Sequence, residues 1–236
     1  ENSPNLKRFH LASAGVVLLS SIYLLIQVFQ NTISNPSSQI QLLYETKLNW
    51  LNAISAKYFI GIDALSSMML VLAAIIIFTG ILATWRLEKG QKVFLGFFQI
   101  LAASVYGVFI SFDLVLFFVF YEMEALCMYL LIAGYGSGNK DYGAKKLTLT
   151  LAIGSSMILA VFLGIYAETG TWNLIELSKI ALPESFQYYA FPILFLGFAV
   201  SSSLFPFHFW SPAGHSAAPT AVSMFAAGVM MKMGAY

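Results

Sequence analysis

Two carboxylates, Glu122 and Glu124, stand inside the apolar run FFVFYEMEALCMYLLIAGYG at 117–136, and Lys232 stands inside another, PTAVSMFAAGVMMKMGAY at 219–236. Left facing lipid, each such charge costs roughly 2.5–3.5 kcal/mol, so a sequence that keeps them must supply partners or a water-filled cavity. Desolvation raises a carboxylate's pKa and lowers that of a lysine, whereas an opposite charge does the reverse. A group held between these influences changes protonation near neutral pH, which is what a proton relay requires. The alternative is a static buried ion pair that fastens two helices. Glu122 lies about 12 Å into its segment and Lys232 about 20 Å along its own, so both are expected near the midplane. The two glutamates are about 200° apart around a helix. One is therefore expected to look into the interior and the other toward a neighbouring helix or subunit.

A third feature is SSSLFPFHFWSPAGHSAAPT at 201–220, where Pro206, Pro212 and Pro219 each remove a backbone donor. A helix running up to Pro206 would leave the carbonyl of Ser202 unpaired. Such breaks occur at membrane depth only where protein or water satisfies the freed groups, and transporters place ion sites at them. His208 and His215 flank the break, and histidine as a residue type titrates near neutrality, which suits either a proton relay from the cytoplasmic side or a role capping loop backbone. Two histidines without a third ligand make a poor metal site. Ser104, Tyr106, Thr148, Thr150, Ser155 and Ser156 could line a wet path or simply pack helices. GSGNK at 136–140 lacks the spacing of a phosphate loop.

These residues must be positioned by membrane helices. Of 236 residues, 59% are hydrophobic and only 10% charged, against about a quarter charged in soluble domains. Seven apolar segments are read at about 11–29, 63–84, 93–112, 114–134, 146–166, 188–205 and 219–236, the sixth interrupted and the seventh short. The fold class is thus all-α, a polytopic transmembrane bundle with a broken helix, forming a single domain over 1–236. NWLNAISAKYFIGID, in the long connection after the first segment, alternates as a short hairpin would. Asp63 and Asp113 are expected at the outer interface. A start at Glu1 and a stop soon after Lys232 suggest an internal piece of a longer protein. With Cys127 alone there is neither a disulfide nor a cysteine metal site, and no basic stripe suits nucleic acid. One set of connections carries Lys7, Arg8, Arg86, Lys89, Lys92, Lys140, Lys145 and Lys146, the other only Lys47, Lys57 and Lys179. The positive-inside rule then puts the N-terminal end on the cytoplasmic side.

FYEMEALCMYLLI, the PFHFWSP…H…APTAVSM run, the closing GVMMKMGAY and GIDALS at 61–66 together resemble the antiporter-like subunits of respiratory complex I. The M-type subunit (mitochondrial subunit 4 type) fits best, in a family shared with multisubunit cation/proton antiporters. The resemblance implies an antiporter-like fold of about fourteen helices, of which this piece holds the second to the eighth. It implies proton translocation through Glu122, Lys232, His208 and His215, with no catalytic residue, metal or cofactor in this chain. Flavin, iron–sulfur clusters and quinone would belong to partner subunits, membrane and peripheral, in a bacterial cytoplasmic membrane. The family lysine expected on the broken helix is replaced by Ser201. Ser203 and Cys127 replace prolines, and Ala213 an aspartate. Coupling through Glu124 or water is the route this leaves. The alternatives are a sodium (potassium)/proton antiporter subunit, a membrane-bound hydrogenase subunit, and a non-translocating scaffold.

Overall fold

The computed structural model describes residues 4–34, 42–85 and 90–236. Five helices are long and apolar enough to cross a membrane. They are α1 (Pro4–Ser34), α2 (Ala64–Ala83), α3 (Gln91–Ile110), α4 (Leu114–Tyr135) and α5 (Lys140–Thr169). A short α6 (Leu174–Leu177) leads to α7 (Glu184–Ser201), followed by α8 (Ser211–Ala217), α9 (Thr220–Phe225) and α10 (Met231–Met233). Between α1 and α2 lies an antiparallel hairpin of β1 (Leu43–Leu51) and β2 (Ala56–Ile62), with Leu48 opposite Tyr58. Ser55, at φ 57°, makes its turn. α1 packs on α2, α3 on α4, and α5 on both α4 and α7.

Local chemistry sets the helix boundaries. Asp63 caps α2 through a capping box, accepting from the Ser66 amide at 2.7 Å while its own amide donates to Ser66 Oγ at 2.8 Å. Asp113 caps α4, its Oδ1 accepting from the Val115 and Leu116 amides at 3.0 and 3.2 Å. Its Oδ2 accepts from the Lys57 amide at 3.1 Å, which ties the hairpin to α4. Asn173 caps α6 in the same manner. α3 lies deepest, with Phe94, Phe98, Leu101, Val105 and Phe109 all fully buried. On the outside, Leu19, Leu149, Leu163 and Phe191 stand exposed, the surface that hydrocarbon rather than water would solvate. At Gly197 a Cβ would come within 2.8 Å of the Gly154 carbonyl oxygen, so this small residue lets α7 close on α5.

The five long helices alternate in direction, giving the bundle two distinct ends. At the hairpin end the Leu114 amide donates to the Trp172 carbonyl at 3.0 Å and Trp172 Nε1 to Ile54 at 2.8 Å. At the other end Lys7 Nζ donates to the Trp85 carbonyl at 2.5 Å, Tyr135 Oη to Gly90 at 2.7 Å and the Ser137 amide to Ala217 at 2.9 Å. Lys7, Arg8, Lys92, Lys140, Lys145 and Lys146 belong to this second end, and Lys47, Lys57 and Lys179 to the hairpin end. Arg86 and Lys89 lie outside the described residues.

Two expectations about segment boundaries change. The sixth segment does not run as helix to Pro206, because α7 ends at Ser201, before any of the three prolines. The seventh is not a uniform α-helix, since a π turn over Ala226–Met230 separates α9 from α10.

Candidate functional site

The break after α7 is built by backbone hydrogen bonds rather than by proline. Ser203 adopts the left-handed conformation at φ 56°. Its amide donates to the Val200 carbonyl at 3.2 Å and that of Leu204 to Ala199 at 3.0 Å, the paired pattern of a Schellman C-terminus. Trp210, fully buried, donates Nε1 to the Val200 carbonyl at 2.8 Å. Ser201 and Ser202 donate their hydroxyls to the Phe198 carbonyl at 3.0 and 2.7 Å. The Phe198, Ala199 and Val200 carbonyls at the helix end are therefore satisfied from within the protein, as an interruption at membrane depth requires. The carbonyl of Ser202 is not orphaned by Pro206 in the way the proline spacing suggests, because the helix has already stopped.

Beside this break lies a small cavity lined by Tyr121, Glu122, Glu124 and Ala125 of α4, Leu151 and Ser155 of α5, Ser201 of α7, and Met230 and Met233. About 10 Å³ of it is open to the centre of a water molecule, room for roughly one water. Glu124 is 2% exposed and Glu122 half-buried, and Oε1 of each is buried without a hydrogen-bond partner. Ser155 Oγ donates to the Ala152 carbonyl at 3.2 Å. With that proton and the Ser201 proton committed to backbone, both serines offer the cavity lone pairs. Gly234 is required beside it, because a Cβ there would stand 2.5 Å from Ser201 Oγ and 2.7 Å from the Phe198 carbonyl oxygen.

This corrects the expectation that Glu122 and Glu124 face different surroundings. Their Cα atoms do diverge around α4, but each glutamate has three side-chain torsions, and both residues line the same cavity.

Lys232 is not brought there. Met230 and Met233, three residues apart, share the cavity face, while Lys232, about 200° around from Met230 on a helix of ordinary pitch, is exposed. Its Nζ donates to the Ala227 carbonyl within the π turn. Among the described residues the one side-chain ion pair is Lys47–Glu45, on the hairpin. The two histidines also separate. His208 is exposed and its ring lies 5.7 Å from that of Phe205. His215 is half-buried, with Nδ1 2.9 Å from Ser223 Oγ, linking α8 to α9. It faces Met128, Ile132, Leu147 and Trp210 rather than the carboxylates.

Of the hydroxyl residues considered for a wet path, Ser155 lines the cavity, whereas Ser104, Thr150 and Ser156 donate to carbonyls of their own helices. Tyr121, Met230 and Met233 are lining residues that the sequence reading did not single out. Tyr121 could have been found from its place beside Glu122, but the methionines depend on how the π turn and α10 are rotated. Met233 also borders a larger cavity of about 710 Å³ that reaches Asp63, Ser111, Ser178 and Tyr236 toward the hairpin end. Among the described residues no group of three or more His, Cys, Asp or Glu side chains is placed to hold a metal ion.

Comparison with known proteins follows the same architecture. Residues 111–236 match the family model described as NADH:quinone oxidoreductase/Mrp antiporter, TM. The chain is 33% identical over 222 residues to NAD(P)H-quinone oxidoreductase chain 4 1 of Picosynechococcus sp., a match covering 93% of this chain and 41% of that protein. Among solved structures it is similar to a chain of respiratory complex I from Thermus thermophilus with bound NADH, at TM-score 0.84 and 25% identity, covering 97% of this chain and 46% of that one. It also shares its fold with a chain of the Mrp complex from Dietzia sp., at TM-score 0.76 and 18% identity over 96% of this chain and 41% of that one. It spans about two fifths of the length of the curated relatives it matches. This chain, with its broken helix and buried carboxylates, belongs to the NADH:quinone oxidoreductase/Mrp antiporter transmembrane family.

Proposed function

We propose that the protein is a proton-translocating membrane subunit of an NADH:quinone oxidoreductase, of the M-type. The observation that carries this reading is the pair of glutamates, Glu124 buried and Glu122 half-buried, beside a water-sized cavity at the break of α7. Intramembrane ionisable groups are expensive and are kept where ions or protons move. Glu122 is the proton-accepting group. The larger cavity beyond Met233 gives water a route toward the hairpin end. His215, placed inside the fold, exchanges protons with the end that carries Lys140, and exposed Lys232 passes charge onward along its own face. His208 stands at the surface of that route.

Electron transfer would take place in partner subunits, membrane and peripheral, that hold flavin, iron–sulfur clusters and quinone, in a bacterial cytoplasmic membrane with the Lys140 end inside. The names of the curated relatives support this reading over that of a sodium (potassium)/proton antiporter subunit, which the Mrp likeness keeps as the second reading. Purifying the complex in mild detergent through a tag on the full-length subunit tests the choice. Co-purified flavin and iron–sulfur subunits with inhibitor-sensitive NADH:quinone activity are expected. A set of purely membrane-embedded partners without redox activity contradicts the proposal and favours the antiporter.

A further inference from the structure

The cavity beside Ser201 holds an electrostatic problem that the fold does not solve with a cation. Two glutamates line it, each with a buried and unpartnered Oε1, Glu124 lies 2% exposed, and the other polar atoms around it are the Tyr121 hydroxyl, also unpartnered, and two serine oxygens whose protons are already donated to Phe198 and Ala152. The titratable neighbours are Tyr121 on the same helix and, one turn beyond Glu124, Cys127. The facing elements contribute Leu151, Ser155, Ser201, Met230 and Met233, none of them charged at any ordinary pH. Lys232 is turned outward. Tyr121 Oη, buried there without a partner, is one hydroxyl donor among these acceptors and too few for two carboxylates, so the site still requires something positive or a further donor at its centre. Like-charged carboxylates at close range do not both ionise in a low-dielectric site, and one proton serves two of them.

We propose that Glu122 and Glu124 act as a single site, two carboxyl groups sharing one proton through the water-sized cavity they both line, with Ser201 accepting from that water. The inference deepens the proton-translocating reading and rests on it for its purpose, though not for its chemistry. In the resting site one proton is held and the net charge is −1. Uptake of a proton from a hydronium gives a neutral pair and one water. Release to a water on the opposite side restores the anion, so one proton enters and one leaves per cycle. Serine at 201 fits this design, since a neutral hydroxyl leaves the pair its proton, whereas an ammonium there would hold both groups ionised.

Infrared titration of the protonated-carboxyl band, on the full-length subunit in its purified complex in lipid, tests the sharing directly. Wild type, Glu122→Gln, Glu124→Gln, the double variant Glu122→Gln/Glu124→Gln and Ser201→Lys are compared in H₂O and D₂O. Two interacting groups lose their protons in steps that belong to the pair, separated by more than about one pH unit. The wild-type minus double-Gln difference titration is then expected to differ from the sum of the two single-variant curves, each single variant's step falling between the two wild-type steps. Ser201→Lys is expected to remove the band at neutral pH. A wild-type curve equal to the sum, or no protonated carboxyl at neutral pH, overturns the proposal. So does loss of the band when sodium replaces choline, which would make this a metal-cation site. If one variant fails to assemble, non-coincidence with the other and the Ser201→Lys result still decide. Proton pumping measured on the same preparations separates the two claims. Coupled titration with pumping intact in every variant retains the shared proton and removes the transport reading, and uncoupled titration with pumping lost does the reverse.

Discussion

Among individual residues, the acids that cap α2 and α4 and those inside α4 are of two kinds by what their oxygens touch. Asp63 and Asp113 spend theirs on backbone amides at helix starts, and Asp113 accepts from three of them. Burial nonetheless pushes the Asp113 carboxyl above the usual carboxylate range, with the Lys57, Leu116 and Val115 amides offsetting part of the effect. A raised folded-state pKa means that the folded protein holds the proton more tightly than the unfolded chain. Stability contributed by this group therefore falls as pH rises from the unfolded value to the raised one, and the penalty is complete above it. Asp113→Asn keeps an Oδ1 acceptor for α4 and removes the titration. Thermal unfolding of the full-length protein in detergent across acidic to neutral pH is expected to lose that part of its slope in the variant, and an unchanged slope would assign it elsewhere. Glu122 and Glu124 are of the other kind, with buried Oε1 atoms that no described group satisfies. Their burial and rarity were legible from the sequence. Their convergence was not, because periodicity fixes Cα directions and leaves the side-chain torsions free.

At the scale of elements, the broken helix is the part the sequence pointed to by the wrong cause. Three prolines marked the region, but the stop is made by Ser203 in the left-handed conformation and by Trp210 reaching back to Val200. A non-glycine residue in that conformation costs roughly 1–2 kcal/mol, and Ser203 Oγ is buried without a partner. Ser203→Gly is thus expected to stabilise the protein by about 1 kcal/mol. Trp210→Phe, which deletes one buried hydrogen bond and keeps an aromatic ring, is expected to destabilise it by a similar amount. Opposite shifts in the unfolding midpoint check the pair, and shifts of the same sign would contradict this account of the break. The π turn at Ala226–Met230 was likewise invisible, since GVMMKMGAY reads as one continuous apolar helix. It sits where Met230 and Met233 meet the cavity and Lys232 leaves it. π turns recur at functional positions, and here one lies between the glutamate-lined cavity and Lys232. The hairpin, by contrast, was readable because alternation survives as a period of two whatever the helices around it do.

For the whole molecule, the long apolar stretches were legible because a bilayer admits only helices or closed barrels. The assembly of their ends was not, since it depends on backbone bonds such as Ser137 to Ala217 and Leu114 to Trp172 that carry no sequence signature. The grouping of Lys7, Arg8, Lys92, Lys140, Lys145 and Lys146 at one end predicts the orientation of the bundle. Single cysteines at Ser137 and at Asn52, exposed at opposite ends, check it with a membrane-impermeant thiol reagent, Cys127 being replaced by Ala. In intact cells the Asn52 variant is expected to react and the Ser137 variant only after the membrane is opened. The reverse pattern would invert the orientation. The central claim is that a buried carboxyl group at the break of α7 carries protons. Its most direct measurement is proton pumping per NADH oxidised in vesicles reconstituted with the complex carrying Glu122→Gln in the full-length subunit. Pumping is expected to fall severalfold, with the complex assembled and its flavin and iron–sulfur content unchanged. Full pumping by an intact assembly would contradict the account.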